Sequence, residues 1–537
     1  MQNVIENAQS EVAKKNKKVR SVKTGATVLA VGSVVAKILG ALYRIPLTNI
    51  LGAEGMGVYQ LVFPVYALFM MLSTVGIPVA LSRIVAEKRA LGENTRKYLF
   101  ACMLVLLSLS TIAAILVIGL AKYIAIWQGN VLAYKGFWVI APSLVFASAI
   151  AGFRGWFQGE MYMLPTAVSN IIEQAFKLAV GLALSVLLAP RGKIYAVYGA
   201  LVGVTVSEFV ALAYMFVTYL VRSRRQKGES LKFSKGEGAS VFRTALPIAV
   251  VSIMLPLSNF FDSMIIVNML KLFGLPADVA TSQYGLLSGP VNSLVNMPVV
   301  LTLSLAVAIV PSVAVSRVER DISAIMLHSR LSLKLVFLIA VPFAIFFMVF
   351  AKRLVSVIYP ALTNEQLFMT ANLLKIASFN VVTLSAMQIY VSLMQAVDRT
   401  KKAVLSLGYA ILVKVILQLV LTRFIGIYGS ALASVAMGSV ALVLAYASYF
   451  EVCGLHIEKN IAINLVCGVI MGLVGIVISV SVQNDFLALA VGIAACLAVY
   501  VWTVFLFGLI GREELADFPA GKLLAKIHRV VRFWEYK

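Results

Sequence analysis

The sequence predicts an all-α protein that crosses a membrane many times, because three observations agree. The chain has 537 residues, of which 61% are hydrophobic and only 13% are charged. Its mean hydropathy is +0.95, whereas folded soluble domains carry about 25% charged residues. Apolar runs of 20 or more residues recur along nearly the whole length. Runs of this length are typical of membrane helices and exceed the strands of about ten residues found in membrane β-barrels.

Fourteen membrane spans are predicted from these runs. Their limits are 24–46, 58–82, 98–120, 136–158, 165–189, 195–221, 242–270, 286–315, 325–350, 368–396, 402–422, 425–450, 460–481 and 485–510. Residues 1–23 are polar and basic, and no convincing small-residue cleavage site follows them. The first span is therefore predicted to be retained as a helix rather than removed as a signal peptide.

The distribution of Lys and Arg orients the chain in the membrane. With the N-terminus in the cytoplasm, the inner segments hold about 32 of these residues and the outer loops about 8. We therefore expect a protein of the plasma membrane with both termini in the cytoplasm. The net charge of +23 mainly reflects this topology. Because the basic residues are dispersed over loops, they do not indicate a nucleic-acid partner.

Matching motifs divide the chain into two repeats. Pro78–Ile84 ends span 2 and Pro311–Val318 ends span 8, while Tyr198–Ala200 opens span 6 and Tyr428–Ser430 opens span 12. Offsets between such matches lie between 230 and 237 residues, which corresponds to six helices. The sequence therefore predicts two parallel six-helix bundles, related by an axis along the membrane normal, plus two extra helices.

Six segments follow from this organisation. They are a cytoplasmic basic N-terminus (1–23), an N-terminal bundle (24–221), a cytoplasmic linker (222–241), a C-terminal bundle (242–450), helices 13 and 14 (459–511) and an amphipathic cytoplasmic tail (512–537). The linker is basic, and the tail combines basic side chains with an apolar helical face. Both features favour contact with anionic membrane lipids.

The sequence carries no enzyme signature. It has no GxxxxGK[ST] phosphate loop. Its three histidines, His328, His456 and His528, lie near loops or in the tail without a catalytic or metal-binding pattern. We therefore expect no cofactor and no metal. Two parallel bundles with charges facing a central space are typical of a secondary transporter, and no filter motif favours a channel.

Two cations inside the first span are the main candidate for substrate binding. Lys37 and Arg44 are seven residues apart, which places them on one helix face about 10 Å apart along the axis. A bilayer tolerates such charges only where they face protein or a watery cavity. An anionic substrate is therefore predicted. Lys375 is a third cavity candidate, although its position near a span end also allows it to snorkel to the interface.

The other charged residues within spans have two interpretations each. Asp262, with Asn259 one turn earlier, suits a sodium or proton coupling site or simply neutralises a cavity cation. Glu173 and Lys177 are four residues apart, which favours an ion pair within one helix. Further candidates for gating or structural roles are Glu54, Lys414, Asn292 and Asn296, and the buried polar set also includes Glu208 and Asn380.

Two stretches of the sequence resemble a known superfamily. Lys37–Arg44 reads KILGALYR, and Leu51–Tyr59 reads LGAEGMGVY. The two stretches are similar to the first helix and first outer loop of the multidrug/oligosaccharidyl-lipid/polysaccharide (MOP) exporter superfamily. The closest likeness is to its polysaccharide-transporter branch, which holds stage V sporulation protein B and the lipid II flippases. The resemblance covers essentially the whole chain.

The resemblance implies a flippase that moves an undecaprenyl-linked saccharide lipid to the outer leaflet by alternating access. Lys37 and Arg44 match two essential cavity cations of lipid II flippases. In place of further arginines of the Gram-negative flippases, this chain has Phe69–Met71 in span 2 and Ser293 in span 8. Asp262 matches a family acid linked to a cation site, whereas span 11 lacks the acidic partner.

Two other functions compete with the flippase. A drug/cation antiporter of the same superfamily would prefer an acidic or aromatic cavity, which Asp262 and Glu173 favour and the two cations of span 1 oppose. A scaffold or scramblase without directional transport fits the same helices. In each case we expect a monomer.

Overall fold

The computed structural model describes residues 2–74, 76–223, 235–454 and 459–510, with side chains over 28–29, 31–74, 76–223, 250–303, 312–451, 454 and 460–510. Within these ranges every regular element is a helix, which confirms the predicted all-α class. The α-helices are α1 Gln2–Thr74, α2 Ile77–Ala90, α3 Arg96–Trp127, α4 Tyr134–Gly159, α5 Leu164–Leu188, α6 Lys193–Ser223, α7 Lys235–Leu272, α8 Ala277–Leu286, α9 Asn292–Val318, α10 Ile322–Ile358, α11 Asn364–Ala396, α12 Thr400–Ile425, α13 Ile427–Cys453, α14 Lys459–Ser481 and α15 Asp485–Leu506. The middle of the predicted linker and the predicted amphipathic tail lie outside the described residues.

The predicted spans all have helical counterparts in the described chain. Thirteen segments are long and apolar enough to cross a membrane. The first of them, Val31–Ala90, contains predicted span 2 and residues 31–46 of predicted span 1. The protein is therefore a multi-pass membrane protein, and the described segments account for all fourteen predicted crossings.

The predicted loop between spans 1 and 2 is wrong. Residues 47–51 and 53–57 are helical, because α1 consists of two helices that meet at a kink at Gly52. Gly52 adopts φ 67° and ψ −176°, a conformation open essentially to glycine alone. A single residue therefore supplies the change of direction that we had expected from a loop.

The described chain forms two compact units. Unit 1 comprises Met1–Asn268 and Pro276–Gly285, and unit 2 comprises Met269–Leu275 and Leu286–Lys537. The core of unit 1 between α2, α3, α4 and α6 is aromatic, with Trp156 and Phe157 fully buried and Tyr219 stacked edge-on against Trp156. Burial of such large rings contributes strongly to packing.

Polar contacts hold α7 and α8 within unit 1. The Gln128 side chain donates to the Leu61 carbonyl at 2.8 Å and to the Ser263 hydroxyl at 3.1 Å. Asn130 donates to the Thr281 hydroxyl at 2.8 Å. Helix α8 also lies so close to α1 that a Cβ on Gly57 would stand 2.1 Å from the Thr281 carbonyl oxygen. Small residues permit this backbone approach, as in other membrane helix pairs.

In unit 2, α14 and α15 pack against α10. The Tyr500 hydroxyl donates to the Leu338 carbonyl at 3.1 Å and to Asn464 at 3.0 Å. Arg353 binds Asp485 at 3.0 Å at one end of this group. Buried polar groups are satisfied in this way rather than left to hydrocarbon.

The hairpins α5–α6 and α12–α13 share a local packing feature. A Cβ on Gly199 would stand 2.7 Å from the Leu184 carbonyl oxygen, and one on Gly429 would stand 2.5 Å from that of Leu421. Both glycines belong to the Tyr-Gly motifs that marked the predicted repeat. The helix pairs of the two units are therefore alike at this point, in agreement with an internal repeat.

Candidate functional site

Five charged side chains of unit 1 form what we call the charged cluster. Arg44 comes from α1, Arg154 from α4, Glu173 and Lys177 from α5, and Glu208 from α6. The Lys177 ammonium lies near enough to the charged groups of Glu173, Glu208 and Arg44 to interact with them electrostatically. The Glu208 carboxylate interacts in the same way with the Arg154 guanidinium. Ionised groups within membrane spans are costly and usually functional. The charged cluster is therefore the candidate site.

Glu173 is held by Arg154, not by Lys177. The Arg154 guanidinium contacts one carboxylate oxygen of Glu173 at 3.0 Å, and the Gln174 amide donates to the other at 3.0 Å. A third contact, from Arg154 to the Ser169 hydroxyl at 2.9 Å, fixes the guanidinium. The predicted ion pair within α5 is wrong because a planar guanidinium from α4 offers a better fit to a carboxylate than a helical neighbour does.

Lys177 is therefore free of the pairing that its sequence position suggested. Its ammonium lies 5.2 Å from the centre of the Phe63 ring and 5.9 Å from that of Tyr43, within range for cation–π attraction. In the part of the chain that the structure describes, neither Lys177 nor Arg44 forms an ion pair with a carboxylate. Two neighbouring cations without a direct ion-pair partner, with the Glu173 and Glu208 charges close by, make this part of the charged cluster the candidate place for an anionic ligand.

Glu208 is a buried carboxylate with one satisfied oxygen. The Tyr66 hydroxyl donates to its Oε1 atom. Its Oε2 atom is buried without a hydrogen-bond partner among the described residues. The side chain is only 5% exposed. Such a carboxylate differs from Glu173, whose two oxygens both accept hydrogen bonds.

Close packing of α5 on α6 brings Lys177 and Glu208 together. A Cβ on Gly203 would stand 2.2 Å from the Cα atom of Gly181. Gly181 lies one turn beyond Lys177, and Gly203 lies little more than one turn before Glu208. The backbones of α5 and α6 therefore contact each other beside the charged cluster. This contact keeps the side chains that the two helices contribute to the cluster close together.

The cations predicted from sequence lie in different surroundings. Arg44 is half-buried and belongs to the charged cluster, whereas Lys37 is exposed on α1. Lys375 is also exposed, on α11 of unit 2, and Lys414 is buried on α12. The structure thus joins Arg44 to Lys177, and the expected role of Lys37 and Lys375 in substrate binding stays a prediction.

The predicted ion-coupling residues lie on α7. Asp262 is half-buried and Asn259 is exposed. Asp262 has an interaction partner within the protein, and both of its predicted roles stay predictions. The remaining polar candidates also have distinct places: Glu54 and Asn292 are half-buried and Asn296 is exposed. No group of three or more His, Cys, Asp or Glu suited to a metal ion occurs among the described residues.

Sequence reasoning missed Arg154 and the aromatic part of the site. Arg154 lies within predicted span 4, in the stretch Gly152-Phe153-Arg154-Gly155. An arginine between two helix-packing glycines is a signal that could have identified it. Tyr66 and Phe63 carried no such signal, because aromatic residues are common at membrane helix positions of every kind.

We expect the Arg154–Glu173 pair to stabilise unit 1 and not to take part in transport. In a double-mutant cycle with Arg154→Met and Glu173→Gln, we expect a coupling energy on the order of 1 kcal/mol, since both side chains are partly exposed. Thermal unfolding of the purified variants would measure it. Additive losses in the double variant would show that the pair contributes nothing as a pair.

The arrangement of these helices is the fold of solved membrane transporters. The structure resembles the lipid II flippase MurJ in an inward closed conformation, with a TM-score of 0.71 at 14% identity, over 90% of this chain and 98% of that one. It also resembles an inward-facing multidrug resistance MATE family transporter of the MOP superfamily, with a TM-score of 0.65 at 14% identity, over 78% of this chain and 94% of the other.

The family follows from the sequence comparisons. Residues 22–314, more than half of the chain, match the polysaccharide biosynthesis protein family, and the chain belongs to that family. It is 26% identical to stage V sporulation protein B of Bacillus subtilis strain 168, over 94% of this chain and 98% of that protein. It is 25% identical to the lipid II flippase MurJ of the same strain, over 78% and 80% of the two chains.

Proposed function

We propose that this protein is a flippase that moves an anionic, lipid-linked saccharide precursor from the inner to the outer leaflet of the plasma membrane. The observation that carries the proposal is the unpaired cation couple of Arg44 and Lys177 inside the charged cluster. The similarity to a lipid II flippase supports the class of substrate. The undecaprenyl diphosphate linkage of such precursors supplies the matching charge.

The chemistry of the substrate explains why a protein is needed. A lipid diphosphate carries about two negative charges, and moving such charges unaided through hydrocarbon is prohibitively costly. A guanidinium and an ammonium provide charge-assisted hydrogen bonds to phosphate oxygens. The Phe63 and Tyr43 rings keep the Lys177 ammonium stabilised while no anion is present. Release of the lipid then requires only a second conformational state of the protein, in which Arg44 and Lys177 are placed differently.

Reconstituted vesicles test this function directly. Purified protein is placed in liposomes with fluorescent lipid II, and a membrane-impermeant quencher reports the lipid reaching the far leaflet. We expect transfer well above that of protein-free vesicles. Transfer at the protein-free level would overturn the proposal.

A drug/cation antiporter is the second candidate, and one observation favours it. Glu208 is a buried carboxylate with an open oxygen, as a site for organic cations would require, and the MATE fold is similar. The same vesicles loaded with ethidium separate the two functions. Ethidium exchange without lipid transfer would favour the antiporter, and lipid transfer alone would favour the flippase.

The orientation of the chain is a further part of the proposal. The excess of Lys and Arg in the segments predicted to be inner supports a cytoplasmic location for both termini and the 222–241 linker. Ser230 lies in this linker, outside the described residues. In a variant without native cysteines, we expect Ser230→Cys to react with an impermeant maleimide only after cells are permeabilised. Arg191→Cys, in the exposed α5–α6 connection, is the matched outer position and should react in intact cells. The reverse pattern would contradict the orientation.

A further inference from the structure

Glu208 is the carboxylate of the charged cluster that has a buried oxygen atom without a hydrogen-bond partner among the described residues. Glu173 accepts from both Arg154 and Gln174, and so both of its carboxylate oxygens are hydrogen-bonded. At Glu208, Tyr66 supplies one donor to Oε1, and Oε2 is buried with no hydrogen-bond partner among the described residues. A buried, incompletely satisfied carboxylate has a much lower cost when it carries a proton.

The groups facing Glu208 make a proton the fitting ligand. From α1 it faces Tyr66, from α4 Arg154, and from α5 Glu173 and Lys177. Glu173 adds a negative charge beside Glu208, and the Arg154 guanidinium and the Lys177 ammonium add two positive charges. A metal cation would be repelled by that ammonium and would find few oxygen ligands here. A proton needs only the open oxygen.

We propose that Glu208 is a proton-binding site, and that an anion held by Lys177 increases its proton occupancy. The second part rests on the proposed function. Fully ionised, the charged cluster has three cations and two carboxylates and a formal charge of +1. A proton on Glu208 raises this charge to +2, the value that offsets the roughly two negative charges of a lipid diphosphate.

The linkage between the two ligands follows from charge alone. When Lys177 turns to a phosphate, its ammonium is neutralised and no longer stabilises the Glu208 carboxylate. Proton uptake at Glu208 then becomes more favourable. By thermodynamic reciprocity, a protonated Glu208 strengthens anion binding at Lys177 to the same degree.

Infrared spectroscopy of the carboxyl group tests the proton site without any substrate. The full-length protein in nanodiscs is titrated with pH, and the protonated carboxyl C=O band is recorded. We expect one buried band that titrates in wild type and in Glu87→Gln, an exposed acid on α2, and that is missing in Glu208→Gln. A wild type without the band, a band that persists in Glu208→Gln, or a band abolished by sodium at constant pH would each overturn the proton site.

Proton uptake on ligand binding tests the linkage. Undecaprenyl diphosphate in micelles is added to weakly buffered protein with a pH indicator. We expect uptake approaching one proton per bound lipid in wild type and none per bound lipid in Glu208→Gln, with the amount of bound lipid measured separately for each protein. Binding without uptake would overturn the linkage. Absence of binding beside an intact Glu208 band would overturn the proposed function and the linkage, and would leave the proton site standing.

Discussion

Replacing Arg44 or Lys177 with alanine should reduce lipid transfer by about 30-fold or more. Each substitution removes one partner of a charge-assisted contact to phosphate, and such a loss costs about 2 kcal/mol or more. The folded state should survive, because neither side chain forms an ion pair within the described chain. Transfer of fluorescent lipid II in vesicles would measure the effect, with thermal unfolding as the check on folding.

The matched control is Lys122→Ala, which removes an exposed lysine of α3. It should transfer lipid at the wild-type rate. Lys37→Ala belongs in the same series, since the shared helix face with Arg44 predicts a comparable loss although the side chain is exposed. Wild-type rates in both Arg44→Ala and Lys177→Ala would remove the argument for an anionic substrate.

Substitution of Gly57 or Gly285 with alanine should disrupt the packing of α8 on α1. A Cβ on Gly57 would stand 2.1 Å from the Thr281 carbonyl oxygen, and one on Gly285 would stand 2.1 Å from that of Ala53. Backbone atoms cannot move aside as a flexible side chain can, and so we expect the upper part of the range of about 1–3 kcal/mol typical of overpacking, or more.

Thermal unfolding of purified protein would measure this loss as a lower melting temperature. Gly119→Ala on α3 is the control, because a Cβ there meets nothing within 4 Å and alanine is the better helix former. Melting temperatures of Gly57→Ala and Gly285→Ala equal to that of Gly119→Ala would show that the close contact is not maintained in solution.

The hydropathy of the sequence was sufficient to locate the membrane spans. The identity and spacing of the charged residues were not sufficient to predict which of them form ion pairs. Each predicted span has a counterpart because the cost of exposing polar backbone to lipid acts on a segment as a whole. The Glu173–Lys177 pair was wrong because a spacing of four identifies neighbours along one helix only. Arg154 reaches Glu173 from α4, and that approach depends on tertiary packing.

The other differences have a similar origin. The loop expected between spans 1 and 2 was wrong because one residue, Gly52, turns the chain. The contact between Tyr66 and Glu208 joins residues 142 positions apart, and no local pattern marks either of them as a partner. Arg44, by contrast, could be singled out from the sequence because its depth in an apolar run is visible there, and its role in substrate binding stays a prediction.

Gly52 limits substitution through its backbone torsion angles rather than through lack of space. A Cβ at this position would meet nothing within 4 Å. The obstacle is the φ of 67°, which L-residues rarely adopt. A residue with a side chain at position 52 is therefore expected to change the angle between the two arms of α1, of which one carries Arg44 and the other carries Phe63 and Tyr66.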